Sequence, residues 1–309
     1  MTYHDPVLKE ESINALMITP GSIHVDATFG GGGHTRAILE RLDENSRLFG
    51  FDQDEDVLPN LPNDDRFTFV HHNFKYLKRF LKLHGVTEVD GILADLGVSS
   101  HQLNEAERGF SYRFDAELDM RMNQQDALSA KELVNSYSAG ELQRVFSDYG
   151  EVRNSKTLAE AIVKERQLKP ILTTSDFLRV ADPYIRGQRL RYLSQVFQAI
   201  RIEVNDEMGV LKTFLHESLE VLKPGGRLVI ITYHSIEDRF VKKFLKAGNF
   251  DGEPEKDFYG NIYRPFKVIT KKPILPSKEE IKINPRARSA SLRVAEKVVD
   301  KRKNGKKET

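Results

Sequence analysis

The 309-residue sequence contains no cysteine. That absence excludes disulfides, thiolate metal sites and a cysteine nucleophile together. His71 and His72 have no H-E-x-x-H context and no other metal-ligand pattern nearby, so no required metal is expected. No apolar stretch approaches the length of a membrane span, and Met1-Thr2-Tyr3-His4-Asp5 is not a basic segment leading into an apolar one. A cytoplasmic protein is the expectation. An excess of one charge is also missing, since 47 Lys and Arg face 46 Asp and Glu. The balance hides a basic end, with fourteen Lys and Arg against five Asp and Glu over residues 265–309. Residues 296–309 read as a basic, disordered tail, with Lys301-Arg302-Lys303-Asn304-Gly305-Lys306-Lys307 either a phosphate-contacting arm or a solvated terminus. Before it, residues 284–294 alternate like a strand.

Four glycines, Gly30, Gly31, Gly32 and Gly33, follow the short apolar run Ile23-His24-Val25-Asp26-Ala27-Thr28-Phe29 and precede a helical pattern that starts near Thr35. A strand, glycine loop and helix in that order let the backbone approach a ligand closely. Asp52 and Asp54 lie about twenty residues on, at the end of the next apolar run, where a carboxylate can bind ribose hydroxyls. The third glycine of a dinucleotide fingerprint is missing, because Thr35 or Arg36 stands at that position. The Gly-Lys-Ser/Thr of a phosphate loop is missing too. A nucleoside without phosphate remains, and S-adenosylmethionine is the obvious one. Asp26 and Asp52 could balance its cationic sulfonium and amine. The plain alternative is a merely permissive loop.

Apolar runs at 66–70 and 89–96, with a helical segment at 76–83 between them, continue a strand and helix alternation that predicts a parallel doubly wound sheet. The rhythm breaks after Leu96. Residues 103–190 show no convincing buried strand, and helix starts recur as Ser129-x-x-Glu132, Ser138-x-x-Glu141 and Thr173-x-x-Asp176. Leu142, Val145, Phe146 and Tyr149, or Leu158, Ile162 and Val163, sit at helical spacing. The sheet pattern resumes with a helix near 206–222, the turn Lys223-Pro224-Gly225-Gly226 and a strand at 227–232. The expected organisation is an α/β, Rossmann-like methyltransferase sheet at 1–102 and 191–295, with an inserted helical substrate-recognition subdomain at 103–190.

In an open parallel sheet the ligand crevice lies at the carboxyl ends of the strands. Those ends are residues 26–34, Asp52, 71–74, 95–102 and 233–235. Asp95-Leu96-Gly97-Val98-Ser99-Ser100 is a polar loop where a methyl acceptor could meet its donor, or a structural turn. His234 could be catalytic or a hydrogen-bonded histidine at a strand end. Ser235 has a structural explanation, since with Asp238 it forms a capping box for a helix at 236–245.

Taken together, the sequence resembles the ribosomal small-subunit RNA methyltransferase H family, also called RsmH or MraW. The matching stretches run in order along nearly the whole chain. They include His4-Asp5-Pro6-Val7-Leu8, Thr28-Phe29-Gly30-Gly31-Gly32-Gly33-His34, Asp95-Leu96-Gly97-Val98-Ser99-Ser100 with Gln102-Leu103, Glu107-Arg108-Gly109-Phe110-Ser111 and Leu118-Asp119-Met120-Arg121-Met122. Further on come Phe197-Gln198-Ala199-Ile200-Arg201-Ile202, His234-Ser235-Ile236-Glu237-Asp238-Arg239 and Asn284-Pro285-Arg286-Ala287-Arg288-Ser289. The resemblance implies methyl transfer from S-adenosylmethionine to the exocyclic N4 of a cytidine in 16S rRNA of the small ribosomal subunit. It implies cofactor contacts at Gly32, Gly33, His34, Asp52, Phe74, Asp95 and Gln102. One segment departs: many members carry a His-Pro-Ala-rich stretch where this chain reads Arg189-Leu190-Arg191-Tyr192-Leu193-Ser194-Gln195-Val196.

Methylation at cytosine C5 needs a covalent cysteine adduct, and the radical route needs thiolate-held iron–sulfur clusters, so direct displacement on a heteroatom is what remains for a cysteine-free chain, and the resemblance implies that the heteroatom is N4. Asp95, Ser99 and His234 are the catalytic candidates, with Asp95 and Ser99 accepting hydrogen bonds from the amino group. The Asp/Asn-Pro-Pro-Tyr/Phe sequence that grips a flipped base in many amino-methyltransferases is absent. Stacking is expected from Phe110, Tyr112 or Phe114, and Arg108, Arg113 and Arg121 could meet phosphates or pair with nearby acids. A monomer or homodimer fits. Two other readings stay open: a non-catalytic RNA-binding assembly factor on the same fold, and a small-molecule methyltransferase, for which the basic tail would be superfluous.

Overall fold

A computed structural model describes residues 6–256 and 260–299. The start of the His4-Asp5 match and the basic tail from Asp300 onward lie outside the described residues. In chain order the elements are α1 (Lys9–Ala15), β1 (Ile23–Asp26), α2 (Gly33–Leu39), β2 (Arg47–Asp52), β3 (Phe67–His71), α3 (Leu77–Leu83), β4 (Val89–Asp95) and α4 (Ser100–Asn104). There follow α5 (Ala130–Ser136), α6 (Ala139–Asp148), α7 (Ser155–Leu168), α8 (Thr174–Ala181), α9 (Arg189–Val204), α10 (Glu207–Val221), β5 (Leu222–Thr232), α11 (Ser235–Ala247), β6 (Phe266–Val268), α12 (Lys278–Ile283) and β7 (Ser291–Lys297). The chain divides into two compact units: the described residues of Met1–Gly97 with Val210–Thr309, and Val98–Gly209.

The first unit is built on a seven-stranded sheet of order β3-β2-β1-β4-β5-β7-β6. Strands β1 to β5 pair in parallel, while β7 runs antiparallel to both β5 and β6. Strands covered on both faces read as continuous apolar runs. Leu48, Phe49 and Phe51 of β2, Ile92, Leu93 and Ala94 of β4 and Leu228, Val229, Ile230 and Ile231 of β5 are accordingly fully buried. The order reverses direction between β1 and β4, the switch point at which such sheets open a crevice beyond their carboxyl ends. Three of these parallel strands, β1, β2 and β4, end on an aspartate: Asp26, Asp52 and Asp95.

The second unit is helical and its core is apolar, with Leu118, Leu133, Leu142, Phe146, Phe177 and Leu193 among the fully buried residues. Ser129 and Ser138 complete their expected capping boxes with Glu132 and Glu141, and Thr173 accepts the amide of Asp176 at 3.1 Å. Each satisfies amide groups that the first turn of a helix leaves without partners.

Two local expectations change. Residues 284–294 are not one strand: Pro285–Ser289 form a 3₁₀ turn, and β7 begins only at Ser291. Pro285 has no amide to give a ladder, and Asn284 Oδ1 accepts the amide of Arg286 at 3.2 Å, which closes a turn instead. The cap of α11 is not Ser235. His234 takes that place, its Nδ1 accepting the amide of Glu237 at 3.3 Å, so the helix starts one residue earlier than its serine suggests.

Candidate active site

Within the sheet unit, the glycine loop links β1 to α2 and lies beside the end of β2. Gly30 donates its amide to Asp52 Oδ2 at 2.8 Å, and Asp54 donates its own to Asp52 Oδ1 at 3.0 Å. Asp52 therefore ties the loop to its own strand end while keeping lone pairs for further donors. Burial pushes its carboxyl up to about 6. Asp54 is buried and caps the 3₁₀ turn that follows, accepting the amide of Asp56. Gly32 has φ 74, and a Cβ there would come to 2.9 Å from both the Phe29 ring and the Arg36 guanidinium. Glycine is required at that position on two counts, backbone conformation and space. Arg36 itself donates from Nη2 to the Gly31 carbonyl at 2.5 Å, clamping the loop from α2.

Asp26 sits deeper than a ligand-facing carboxylate. It is fully buried, accepts Thr35 Oγ1 at 2.7 Å and the Thr28 amide at 3.2 Å, and burial pushes it up to about 6. Its role is to fasten both sides of the glycine loop, which corrects the expectation that it balances the ligand's charge. His34 is likewise turned inward. Its Nε2 contacts the Val7 carbonyl at 3.1 Å, a group that can only accept, so Nε2 carries the proton and Nδ1 does not. Burial lowers the ring to about 4 and keeps it neutral.

Phe74 follows β3 and packs edge-on against Phe214, with ring centroids 5.0 Å apart. Asn73 caps that turn through the amide of Lys75 and donates from Nδ2 to Gln53 Oε1 at 2.8 Å. This bridge joins the loop after β2 to the loop after β3, so the positions of Asp52 and Phe74 are coupled.

Asp95 ends β4 with its side chain 23% accessible. Its amide is donated to Thr28 Oγ1 at 2.7 Å, and its Oδ1 accepts the Tyr233 hydroxyl at 2.8 Å. His34 Nδ1 stands 3.8 Å from Oδ2, beyond hydrogen-bond reach. Burial, with Asp26 and Glu237 adding repulsion, raises Asp95 to about 7. His234 is held by its capping bond through Nδ1, while its buried Nε2 lies 3.1 Å from Glu237 Oε1 without making a hydrogen bond. That is a structural engagement, and it leaves Tyr233, the residue just before, as the one from this strand end that reaches Asp95.

The remaining candidates belong to the helical unit. Ser99 and Gln102 form the capping box of α4: Ser99 Oγ accepts the Gln102 amide at 3.1 Å and Gln102 Oε1 accepts the Ser99 amide at 3.0 Å. Of the three aromatics considered for stacking, Phe110 is buried in the core and Tyr112 packs on Phe197, whereas Phe114 is 44% exposed. Arg121 forms a bidentate pair with Asp119, and the buried Arg108 donates to the carbonyls of Arg121 and Met122. Both arginines hold their own loop, leaving Arg113 as the exposed member of the trio.

Sequence reasoning did not find Thr28, Thr35, Arg36, Gln53, Asn73, Tyr233 or Glu237. Thr28 and Glu237 lay in matched stretches without a role of their own, and the others carry no motif. Each acts on a partner that only the folded sheet brings near, although Tyr233 stood inside the strand-end segment already singled out.

The profile of the MraW methylase family matches residues 1–298. A protein named ribosomal RNA small subunit methyltransferase H from Flavobacterium johnsoniae is 58% identical over 96% of this chain and 99% of its own length. Proteins of the same name from Christiangramia forsetii and Phocaeicola vulgatus are each 54% identical, over 96% of this chain and 99% and 97% of theirs. Among solved structures, an rRNA methylase from Streptococcus thermophilus aligns with a TM-score of 0.39 and 12% identity, over 97% of this chain and 99% of that one. So loose a likeness carries no argument about the site.

Proposed function

The chain belongs to the MraW methylase family, and on that premise we propose that it methylates the exocyclic N4 of a cytidine in 16S rRNA of the small ribosomal subunit, using S-adenosylmethionine. The observation that carries the reading is the convergence of the glycine loop, Asp52, Phe74 and Asp95 at the carboxyl ends of adjacent parallel strands. The residues fit such a ligand. Gly32 and Gly33 lack the Cβ atoms that would press on Phe29 and Arg36 and on Pro6, so the loop keeps its shape. Asp52 offers acceptors to ribose hydroxyls, Phe74 offers a ring face or edge to adenine, and two acidic strand ends, Asp52 and Asp95, suit a cation. When bound, the ligand supplies an electrophilic methyl group on a positively charged sulfur. His34 contributes to the cradle through its backbone, its ring being held by Val7. Gln102 completes the proposed cofactor set.

Asp95 is the proposed acceptor for the amino group of the target base. An amino nitrogen conjugated with a pyrimidine ring is a poor nucleophile, and a hydrogen bond to a carboxylate orients its lone pair and enriches it. As the new N–C bond forms, the electron pair of the broken C–S bond leaves with sulfur, and the nitrogen then gives one proton to Asp95 or to water. Ser99 and His234 hold the ends of their helices, so their contribution is to the shape of the site. Phe114 and Arg113 are the exposed aromatic and cation proposed to meet the RNA. No helix among the described residues is long and apolar enough to cross a membrane, and work on ribosomal RNA goes with a cytoplasmic location.

The test is methyl transfer from labelled S-adenosylmethionine to purified small ribosomal subunits, followed by nucleoside mass spectrometry. We expect N4-methylcytidine from the wild-type protein and at least a hundredfold less from Asp95→Ala, with weakened cofactor binding by calorimetry in Asp52→Ala. Unchanged transfer in both variants would sink the site. Salt-sensitive RNA binding without any cofactor binding would favour the non-catalytic assembly factor instead.

A further inference from the structure

We propose that Tyr233 is a positioning residue for Asp95, holding one carboxylate oxygen so that the other is the single acceptor offered to the target amino group. The inference rests on the reading of Asp95 as that acceptor and adds a residue that no motif assigns. Tyr233 is the first residue after β5, and Asp95 is paired in register with Ile231 of that strand. Two steps further along, the phenol reaches back across the strand end to Oδ1 at 2.8 Å.

The phenol is itself anchored. The Tyr233 amide is donated to Glu237 Oε2 at 2.9 Å, and Glu237 is buried in the first turn of α11. On the opposite side, Gly97 has φ 96, and a Cβ built there would come to 3.4 Å from Tyr233 Cδ2. The Asp95 backbone is fixed independently by Thr28 Oγ1 at 2.7 Å. Carboxylate and phenol therefore meet between two fastened backbones, so the hydrogen bond exists without further ordering cost. That is the condition for a positioning contact to matter in catalysis.

The charged and titratable neighbours leave this bond much to do. Asp26 from β1 and Glu237 from α11 both disfavour a charged Asp95, and burial does so more strongly. His34 from α2 is held neutral by its burial, with Lys9 adding to that, and so supplies no compensating charge. Burial first and Asp95 next, with Glu237 and then Glu280 from α12 adding to them, push the Tyr233 phenol well above its ordinary value and so keep it a donor. Among the described residues of this unit, the Tyr233 hydroxyl is the one side-chain donor bonded to the carboxylate. Donation to a charged acceptor favours its charged form. Losing it weakens the acceptor where proton competition is strongest, in neutral and acidic solution.

The experiment compares kcat against pH for methyl transfer to small subunits by wild type, Tyr233→Phe and Asp95→Ala, together with S-adenosylmethionine affinity by calorimetry. For Tyr233→Phe the acid limb is expected to move up by about one pH unit, so that the rate falls about fivefold at pH 7, about tenfold at pH 6, and returns to within about twofold of wild type at pH 9. Cofactor affinity should stay within about twofold of wild type. An unmoved profile, a loss equal at all pH values, or loss of cofactor binding in Tyr233→Phe would each overturn the proposal. Asp95→Ala, which unlike Asp95→Asn keeps no acceptor, tests the underlying reading separately: transfer retained by that variant removes Asp95 as acceptor, whereas transfer lost there with an unmoved Tyr233→Phe profile removes only the role of Tyr233.

Discussion

In the helical unit Ser129, Ser138 and Thr173 each serve an amide three residues further on. In the sheet unit Asp52 receives Gly30 from 22 residues away, and Asp95 receives Tyr233 across 138. Local bonds of the first kind start helices: α4, α5, α6 and α8 each begin on one, whereas α7 and α9 have no side-chain cap. Bonds of the second kind exist only after the chain has folded, and those of Asp52 and Asp95 lie where ligand chemistry is expected. The helical unit thus rests on an apolar core, on local caps and on longer bonds such as those of Asn205 with Met120 and Met122, while the sheet unit uses an apolar sheet to support buried, mutually repelling carboxylates.

The largest expected effect tests the apolar half of that contrast. Phe146 is fully buried in the helical core, and Phe146→Ala should cost about 3–5 kcal/mol of unfolding free energy, read from denaturant titration. A loss below about 1 kcal/mol would mean that this unit is not held by its core in the way its burial suggests. Next in size is Gly32→Ala. Positive φ together with contacts to Phe29 and Arg36 should distort the loop and weaken S-adenosylmethionine binding by about a hundredfold in calorimetry, with a smaller loss of stability of about 1–3 kcal/mol. Wild-type affinity in that variant would show that the loop does not cradle the ligand.

These two residues also mark what was legible in the sequence. Phe146 was found by helical spacing and the glycine run by its place between strand and helix, because periodicity and loop chemistry are local. Asp52 and Asp95 were found by the same rule, as acids at strand ends. The sequence could not reveal that Asp26, also at a strand end, points into the protein toward Thr35, because sheet pairing and side-chain direction decide that. Nor could it show that His34 faces Val7 and that His234, rather than Ser235, caps α11. In each case a residue with a functional look is held by a neighbour whose proximity no spacing encodes. The serine caps were legible because their partner lies three residues away.

A third effect, about tenfold, separates the units by pH. Asp26 and Asp52 are raised to about 6 and Asp95 to about 7, so all three take up protons as pH falls from 8 to 5.5. Binding of a sulfonium cation should weaken about tenfold over that interval, and binding at pH 6 should release protons, measurable by calorimetry in buffers of different ionisation enthalpy. For the unliganded protein the sign is opposite. Groups with raised folded values contribute stability at low pH that is lost as pH rises from about 4 through 7. His24 and His34, lowered to about 4 by burial, contribute stability above the unfolded value that is lost as pH falls through 4. Asp95→Asn should therefore melt higher than wild type at pH 8, by a margin that narrows as pH falls and closes only near pH 4. Equal melting temperatures at pH 8 would mean that the site stores no electrostatic cost.

The smallest effect is the most local. Ser138 accepts the Glu141 amide at 3.3 Å, and Glu141 Oε2 in turn accepts the Ser138 amide at 2.7 Å at the start of α6. Ser138→Ala removes one of these two bonds and leaves an amide that water can reach. The expected cost is about 1 kcal/mol, with kcat and cofactor affinity unchanged. Glu141→Ala removes the reciprocal bond and should cost less, since the Ser138 amide is exposed to solvent. The pair together should cost less than the sum of the two, because each side chain orients the other. If Ser138→Ala instead lowered transfer tenfold at unchanged stability, the cap would be more than a folding device, and the division between local bonds that build structure and distant bonds that position chemistry would fail in the unit where it is most clearly drawn.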